Sequence, residues 1–467
     1  MPLPSDILIN KLAFEPTEGQ KAAFKAIDWT LSPGELPKTL LIKGYAGTGK
    51  TTLTSVLVSV LPTFNFKFVL LAPTGRAAKV LSAYSKRMAF TIHKRIYKQV
   101  NSNGGGLFFK LQKNYATNTV FIVDEASMIN DDTGFGKNGL LKDLIDYVFT
   151  ETSNRLILIG DSAQLPPVGQ MISPALDLAK LQNDFHIDVR EVSLTEVKRQ
   201  TADSGILNNA TALRSNLQKD KLVIQFKTSA FKDIFRMTGD RMEDGIRYAY
   251  DNYGISESII ITRSNKAANQ YNQYIRNQIH FYESELEAGE LLMVVKNNYL
   301  FTPDDKSGSF LANGDFLEVL KVSNLEEMHG LRFATLTVKL ADYPHLESFD
   351  AKVILDTLHA EGPALPSELN EALYESVKAD YTHLSSAKEL REALKADPYL
   401  NAVQIKFAYA ITCHKSQGGQ WPVVFLDQGY LPENKIDKDY LRWLYTAVTR
   451  ATKQLFLVNF DHKYFVS

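Results

Sequence analysis

Gly44-Tyr45-Ala46-Gly47-Thr48-Gly49-Lys50-Thr51 is a full match to G-x-x-x-x-G-K-[ST]. In such a loop the glycines clear side chains away, so that backbone N–H groups can close around phosphate oxygens. The lysine reaches the β- and γ-phosphates, and the hydroxyl of the last residue ligates Mg²⁺. Gly44, Gly47, Thr48, Gly49, Lys50, Thr51 and the adjoining Thr52 are therefore the candidate nucleotide-binding residues. A second string, Val120-Phe121-Ile122-Val123-Asp124-Glu125, is an apolar run that ends in two carboxylates. Beside a phosphate loop, Asp124 would hold Mg²⁺ together with Thr51, directly or through water. Glu125 would polarise the water that attacks the γ-phosphate. The chemistry these residues describe is hydrolysis of a nucleoside triphosphate.

Other strings are weaker alone. Leu156-Ile157-Leu158-Ile159-Gly160-Asp161-Ser162-Ala163-Gln164 repeats the plan of strand and tight turn, and Gln164 could sense the terminal phosphate. Pro73-Thr74-Gly75-Arg76-Ala77-Ala78-Lys79 turns from a strand into a helix, where open α/β sheets bind ligands; it equally suits a solvated helix start. Arg199 is a surface charge on one reading and an arginine finger on another, and Arg450 is the second finger candidate. Thr17-x-x-Gln20 is a capping box, in which Gln20 returns a bond to the backbone of Thr17. A glutamine just ahead of a phosphate loop can also read both edges of adenine, and the two readings stand side by side.

The elements that must position these residues follow from hydrophobic period. Lys38–Lys43, Phe68–Ala72, Val120–Val123 and Leu156–Ile159 read as buried strands. Leu53, Val56, Leu57, Val60 and Leu61 fall on one helical face, and Pro62 should stop that helix. Thr17 to Trp29 has helical spacing as well. Ile96–Val100 and Leu107–Leu111 flank Asn101-Ser102-Asn103-Gly104-Gly105-Gly106, a hairpin signal that interrupts the β-then-α rhythm. Ser258–Thr262 opens a second α/β unit. Short β-prone runs at Leu291–Val295, Phe316–Val322, Leu331–Leu340 and Ala351–Leu355 suggest a small barrel, with polar-faced helices at 366–377 and 385–394 projecting from it. The α/β pattern resumes at Ile405–Ile411 and closes with strands at Val423–Leu426 and Gln454–Val458. The expected divisions are 1–190, with a hairpin insertion at about 92–118; 191–283; 284–403, the barrel and its arm; and 404–467.

The chain has 467 residues, room for about three domains, and 45% hydrophobic with 22% charged residues places it among ordinary soluble globular proteins. A net charge of −1 argues against a polybasic binder but permits a channel with a local positive lining. One cysteine, Cys413, excludes an internal disulfide framework and a cysteine-based metal cluster. No apolar stretch approaches the ~18 residues of a membrane span, and the N-terminus carries no signal pattern. A cytoplasmic protein is expected.

The serial order Gly44–Thr51, Pro73–Lys79, Asp124-Glu125, Gly160–Gln164, Lys198-Arg199-Gln200, Thr412–Gly418 and Val448-Thr449-Arg450 resembles the motif series of a superfamily 1B DNA helicase, of the RecD-like and Dda-like group. The resemblance implies two tandem RecA-like P-loop domains, a β-hairpin insertion in the first, and an SH3-like β-barrel insertion with a helical arm in the second. It implies ATP-dependent 5′→3′ movement on single-stranded DNA with unwinding of duplex, in DNA repair, replication or recombination, by a monomer that engages single strands and single-strand/duplex junctions. Protein partners would dock on the barrel and arm, and no membrane is involved. Carried over by position, Gln20 reads adenine; Lys50, Glu125, Gln164, Arg199 and Arg450 are catalytic; Thr51 and Asp124 hold Mg²⁺; and Gly418 joins the ATP site. Pro73, Thr74, Arg76, Thr91, His93, His414 and Ser416 match strand-contacting positions, and Asn101–Gly106 belongs to the hairpin that splits the duplex. Lys198 stands where many relatives carry an aromatic that stacks on adenine, and Gln420 where other branches carry a glutamate. An RNA helicase or a non-unwinding translocase would share this fold. A nucleotide-dependent switch in a protein assembly would too, with ATPase insensitive to nucleic acid.

Overall fold

The computed structural model describes residues 2–101, 107–130, 138–197, 203–298, 300–301, 311–343, 346–431 and 436–466. The first lobe holds β1 (Lys38–Gly44), β2 (Lys67–Ala72), β3 (Ala89–Thr91), β4 (Tyr97–Asn101), β5 (Leu107–Leu111), β6 (Thr119–Val123), β7 (Arg155–Gly160) and β8 (Asp188–Leu194). Its sheet has the order β3-β2-β6-β7-β1-β8 and is parallel throughout. Helices cover both faces, which is why these strands read as unbroken apolar runs. Leu40 and Ile42 point into one core and Leu41 into the other, the period of two expected of a strand. The chain leaves β1 and re-enters the sheet at β2, with β7 and β6 between them. Ligand-binding crevices of open α/β sheets form at the carboxyl ends beside such crossings.

β4 and β5 pair as an antiparallel hairpin outside that sheet. The expected tip of the hairpin, 102–106, lies outside the described residues. Tyr97 anchors the hairpin base, its hydroxyl donating to Asp143 at 2.8 Å within the second core of this lobe.

The second lobe adds β9 (Ile234–Met237), β10 (Ser258–Thr262), β11 (Leu291–Val294), β12 (Phe316–Met328), β13 (Leu331–Leu340), β14 (Phe349–Ile354), β15 (Val403–Phe407), β16 (Ala410–Thr412), β17 (Trp421–Asp427) and β18 (Ala451–Val458). Strands β16-β10-β17-β18-β9 form a parallel sheet, and β11-β12-β13-β14-β15 close into a barrel. The arm helices, Ser367–Asp380 and Ala387–Ala396, bury Leu373, Val377 and Leu394 against Leu331, Phe333 and Ile354 of the barrel. Among the described residues, no helix is long and apolar enough to cross a membrane.

Two expected divisions cut through strands. β8 pairs with β1 along its whole length, so the first sheet runs on to Leu194, past residue 190. Ile405–Phe407 belongs to the barrel, because β15 pairs with β11 and β14; the second sheet resumes only at Ala410. The helix after the phosphate loop ends at Val60, and Pro62 sits inside a following 3₁₀ turn, Leu61–Phe64, where its fixed φ is tolerated.

Candidate active site

β1 delivers the phosphate loop to the carboxyl edge of the first sheet, and the helix Lys50–Val60 leaves it with its amino end facing the loop. Gly47 (φ +78°) and Gly49 (φ +87°) hold left-handed backbone that other residues resist. Lys50 Nζ donates to the carbonyls of Gly44 (2.7 Å) and Tyr45 (2.9 Å), and the Thr48 hydroxyl donates to the Tyr45 carbonyl (2.8 Å). Gln20 is buried at the back of this loop. Its Oε1 accepts from the Thr17 N–H (3.1 Å) and its Nε2 donates to the Thr48 carbonyl (3.3 Å). Both ends of the amide are thus committed to protein, one of them to the phosphate loop itself. The adenine-reading role is not the one this geometry displays: Gln20 caps its own helix and staples the loop.

β6 brings Asp124 and Glu125 to the same edge. Asp124 Oδ1 accepts from the Glu125 N–H (2.9 Å), and burial, then the charge of Glu125, pushes the Asp124 carboxyl up against the opposing pull of Lys50. Glu125 sits at φ +54°, a left-handed conformation uncommon outside glycine, and such strain collects at functional sites. The turn behind it is clamped by Ser173 Oγ, within 2.8 Å of the carbonyls of Ala126 and Ile129. β7 ends in Gly160-Asp161, and Gln164 folds back with its N–H on the Asp161 carbonyl (3.3 Å). Gln164 Oε1 is buried with no hydrogen-bond partner among the described residues. An orphaned acceptor costs about 1–3 kcal/mol, so a donor such as a water aligned on a γ-phosphate fits it. Asp124 and Thr51 supply a carboxylate and a hydroxyl, oxygen donors of the kind Mg²⁺ takes beside phosphate oxygens.

The second lobe packs on this edge. Leu165 is held on both sides of its peptide group: its N–H donates to Thr446 Oγ1 (2.9 Å), and its carbonyl accepts from Gln417 Nε2 (2.7 Å). Arg450 is buried, and its guanidinium donates to Thr446 O (2.9 Å), Gly419 O (3.2 Å) and Thr449 Oγ1 (3.1 Å). These partners are neutral, so the side chain is held in place with its charge uncancelled by them. Arg199 lies outside the described residues.

Beside the nucleotide edge runs a cavity of about 570 Å³ that brings Pro73, Thr74, Thr91, His93 and His414 together. Thr74 and Thr91 each cap a helix, accepting from the N–H groups of Ala77 and Lys94 (both 3.2 Å). Burial pushes His93 down to about 4, so it is a neutral imidazole at pH 7. The barrel supplies a wall that sequence reading did not anticipate, Lys296, Asn297 and Asn313. Lys415 is a further lining residue, its Nζ donating to Asn313 Oδ1 at 2.6 Å. Burial lowers its ammonium to about 8, leaving it cationic at neutral pH. Lys415 falls within the motif Thr412–Gly418, a signal that could have found it, whereas no motif contains Lys296 or Asn313.

Three expected site residues lie elsewhere. Arg76 does not line this cavity: its guanidinium lies 4.1 Å from the Trp421 ring and 4.9 Å from Phe316, and pairs with Asp342 of the barrel at 3.2 Å. Ser416 is fully buried, its hydroxyl donating to the Cys413 carbonyl at 2.8 Å. Gly418 (φ +73°) closes on the start of the helix Gly75–Ser85, where a Cβ would come within 2.7 Å of Ala77 Cβ; it serves lobe packing. Asp342 also accepts from Lys79 at 3.1 Å and is itself buried. Asp342→Ala should therefore strand the mostly buried Arg76 charge and cost about 3 kcal/mol. Thermal denaturation reads this as a lowered midpoint, with Asp342→Asn intermediate; an unchanged midpoint would show that the pair holds nothing.

A family model described as an AAA domain matches residues 17–230, and one described as a UvrD-like helicase C-terminal domain matches 407–458. The chain is 30% identical over 291 residues to the ATP-dependent DNA helicase dda of Enterobacteria phage T4, spanning 60% of each protein. It is 31% identical over 176 residues to the ATP-dependent RecD2 DNA helicase of Deinococcus radiodurans, covering 38% of this chain and 22% of that one. Among solved structures it overlays Pif1 helicases described as unwinding forked duplex DNA, with a TM-score of 0.49, 16% identity, and coverage of 97% of this chain and 94% of that one. Both ends of the motif series are thus matched in order, and the chain is similar to helicases of superfamily 1B.

Proposed function

We propose that the chain hydrolyses ATP to drive 5′→3′ movement along single-stranded DNA and separation of duplex ahead of it. One observation carries the reading. Gln417 lines the cavity and its amide holds the carbonyl of Leu165, the residue next to Gln164. The same loop then supplies Pro167 and Val168 to the cavity wall. A group that senses the terminal phosphate and a wall that touches the strand are thus one short segment, so a change at one end is felt at the other.

In this reading Lys50, with the loop N–H groups and the hydroxyls of Thr48, Thr51 and Thr52, binds the phosphates. Glu125 takes the proton of the attacking water, Gln164 orients it, and Arg199 and Arg450 steady the charge that develops. Mg²⁺, held by Thr51 and Asp124, would neutralise phosphate charge. Pro73, Thr74, Thr91, His93, His414 and Lys415 grip the strand. Such contacts go largely to the backbone, so binding should be tolerant of sequence and sensitive to salt. The preference for DNA is supported by the two DNA helicases to which the chain is similar, and the 5′→3′ direction follows from the resemblance of the motif series. We also place the protein as a monomer, with the barrel and arm open to protein partners.

Steady-state ATPase measured alone, with single-stranded DNA and with single-stranded RNA tests this directly. Stimulation of at least about tenfold by DNA is expected, with unwinding of duplexes that carry a 5′ tail and not of those with only a 3′ tail. ATPase unaffected by either nucleic acid would overturn the reading in favour of a nucleotide switch.

A further inference from the structure

Tyr445 lies on the helix Lys438–Val448 of the second lobe and is almost wholly buried. Its hydroxyl accepts from the Ala46 N–H of the phosphate loop at 2.8 Å and donates to Asp161 Oδ2 at 2.6 Å. Asp161 is itself fully buried, and its other oxygen accepts from the Ala163 N–H at 2.9 Å. Among the described residues no lysine or arginine pairs with it, so the phenol is the donor that meets this face of the carboxylate. Burial, and then the charge of Asp161, pushes the phenol well above its usual range, so the proton that makes the bridge stays in place. The flanking loop residues meet the second lobe too: Arg214 lies 4.2 Å from the ring of Tyr45, and Leu207 packs where a Cβ on Gly47 would come within 2.8 Å. Tyr45, Ala46 and Gly47 are each contacted from across the cleft.

We propose that Tyr445 is a positioning residue for hydrolysis. Its hydroxyl sets the helix Lys438–Val448 in register with the phosphate loop and with the turn that carries Gln164. The next residue, Thr446, holds the Leu165 N–H and also accepts from Arg450 Nε, so one helical turn ties the loop, the sensing turn and the arginine together. The proposal rests on the ATPase reading above. A buried tyrosine that merely satisfies a buried acid would look the same in outline, and the test must separate the two.

Tyr445→Phe keeps the ring and removes the bridge. Stimulated kcat in saturating single-stranded DNA should fall at least tenfold, with KM for ATP changed less than about threefold. In Tyr445→Phe combined with Asp161→Asn, the acid left without its donor is neutralised, so the thermal midpoint should recover while kcat does not. Stimulated kcat within twofold of wild type in Tyr445→Phe, or recovery of both kcat and midpoint in the double variant, would overturn the proposal. A wild-type protein without ATPase would overturn the reading of the site itself and the bridge with it, whereas a stimulated wild type matched by Tyr445→Phe would sink the bridge alone.

Discussion

Lys50→Ala should lower ATP hydrolysis on the order of 10³-fold and abolish unwinding, while single-stranded DNA binding stays within a few-fold of wild type. The ammonium of Lys50 rests on the carbonyls of Gly44 and Tyr45, which fixes it over the loop where β- and γ-phosphates would lie. A transferring phosphoryl group spreads negative charge over its oxygens, and a cation already positioned there stabilises that charge without reorganising. Alanine removes two bonds to backbone carbonyls and no contact between elements of the core. It also leaves the strand cavity intact, because Lys50 is not among its lining residues. Steady-state ATPase and fluorescence anisotropy on a labelled oligonucleotide, at one fixed salt concentration, separate the two effects. Wild-type hydrolysis in this variant would remove the phosphate-loop assignment altogether.

The parts of the site that could be read from sequence are those whose neighbours in space are also neighbours in the chain. Gly44–Thr51 and Asp124-Glu125 each follow a strand directly, and parallel pairing through β7 puts their carboxyl ends on one edge. The hairpin was legible from a glycine-and-asparagine loop between two β-prone runs, and the barrel because alternation survives folding: Leu331, Phe333, Leu336, Val338 and Leu340 are buried while Arg332 between them is not. The errors arose where a partner comes from far away. Arg76 looks like a strand-contacting cation until Trp421, Phe316 and Asp342 arrive from the second sheet and the barrel. Tyr445 carries no local mark, and its partners Ala46 and Asp161 lie far off in sequence. Strand β9, Ile234–Met237, is too short to announce itself by period, and β8 and β15 sit at boundaries where only pairing decides which sheet owns them.

Arg450→Ala should slow stimulated hydrolysis by roughly 10³-fold, the lower end of what an arginine finger contributes, and Arg450→Lys should recover little of that rate. The reason lies in how the side chain is held. Its Nε and both terminal nitrogens are directed at Thr446 O, Gly419 O and Thr449 Oγ1, a fan of acceptors that suits a planar fork and not a point charge. A lysine would keep the charge, yet it could meet one of those acceptors only by leaving the others. Because the site is buried, both variants also orphan acceptors and should lose stability, on the order of 1–3 kcal/mol. The thermal midpoint therefore has to be read beside kcat. If Arg450 only braces Thr446 and Gly419, kcat should fall in step with the midpoint, and stabilising the protein by low temperature should restore both. If it stabilises charge on the transferring phosphoryl group, the rate deficit should persist where each variant is fully folded. Arg450→Lys with more than about a tenth of the wild-type rate would show that a nearby positive charge suffices and that the fork is structural.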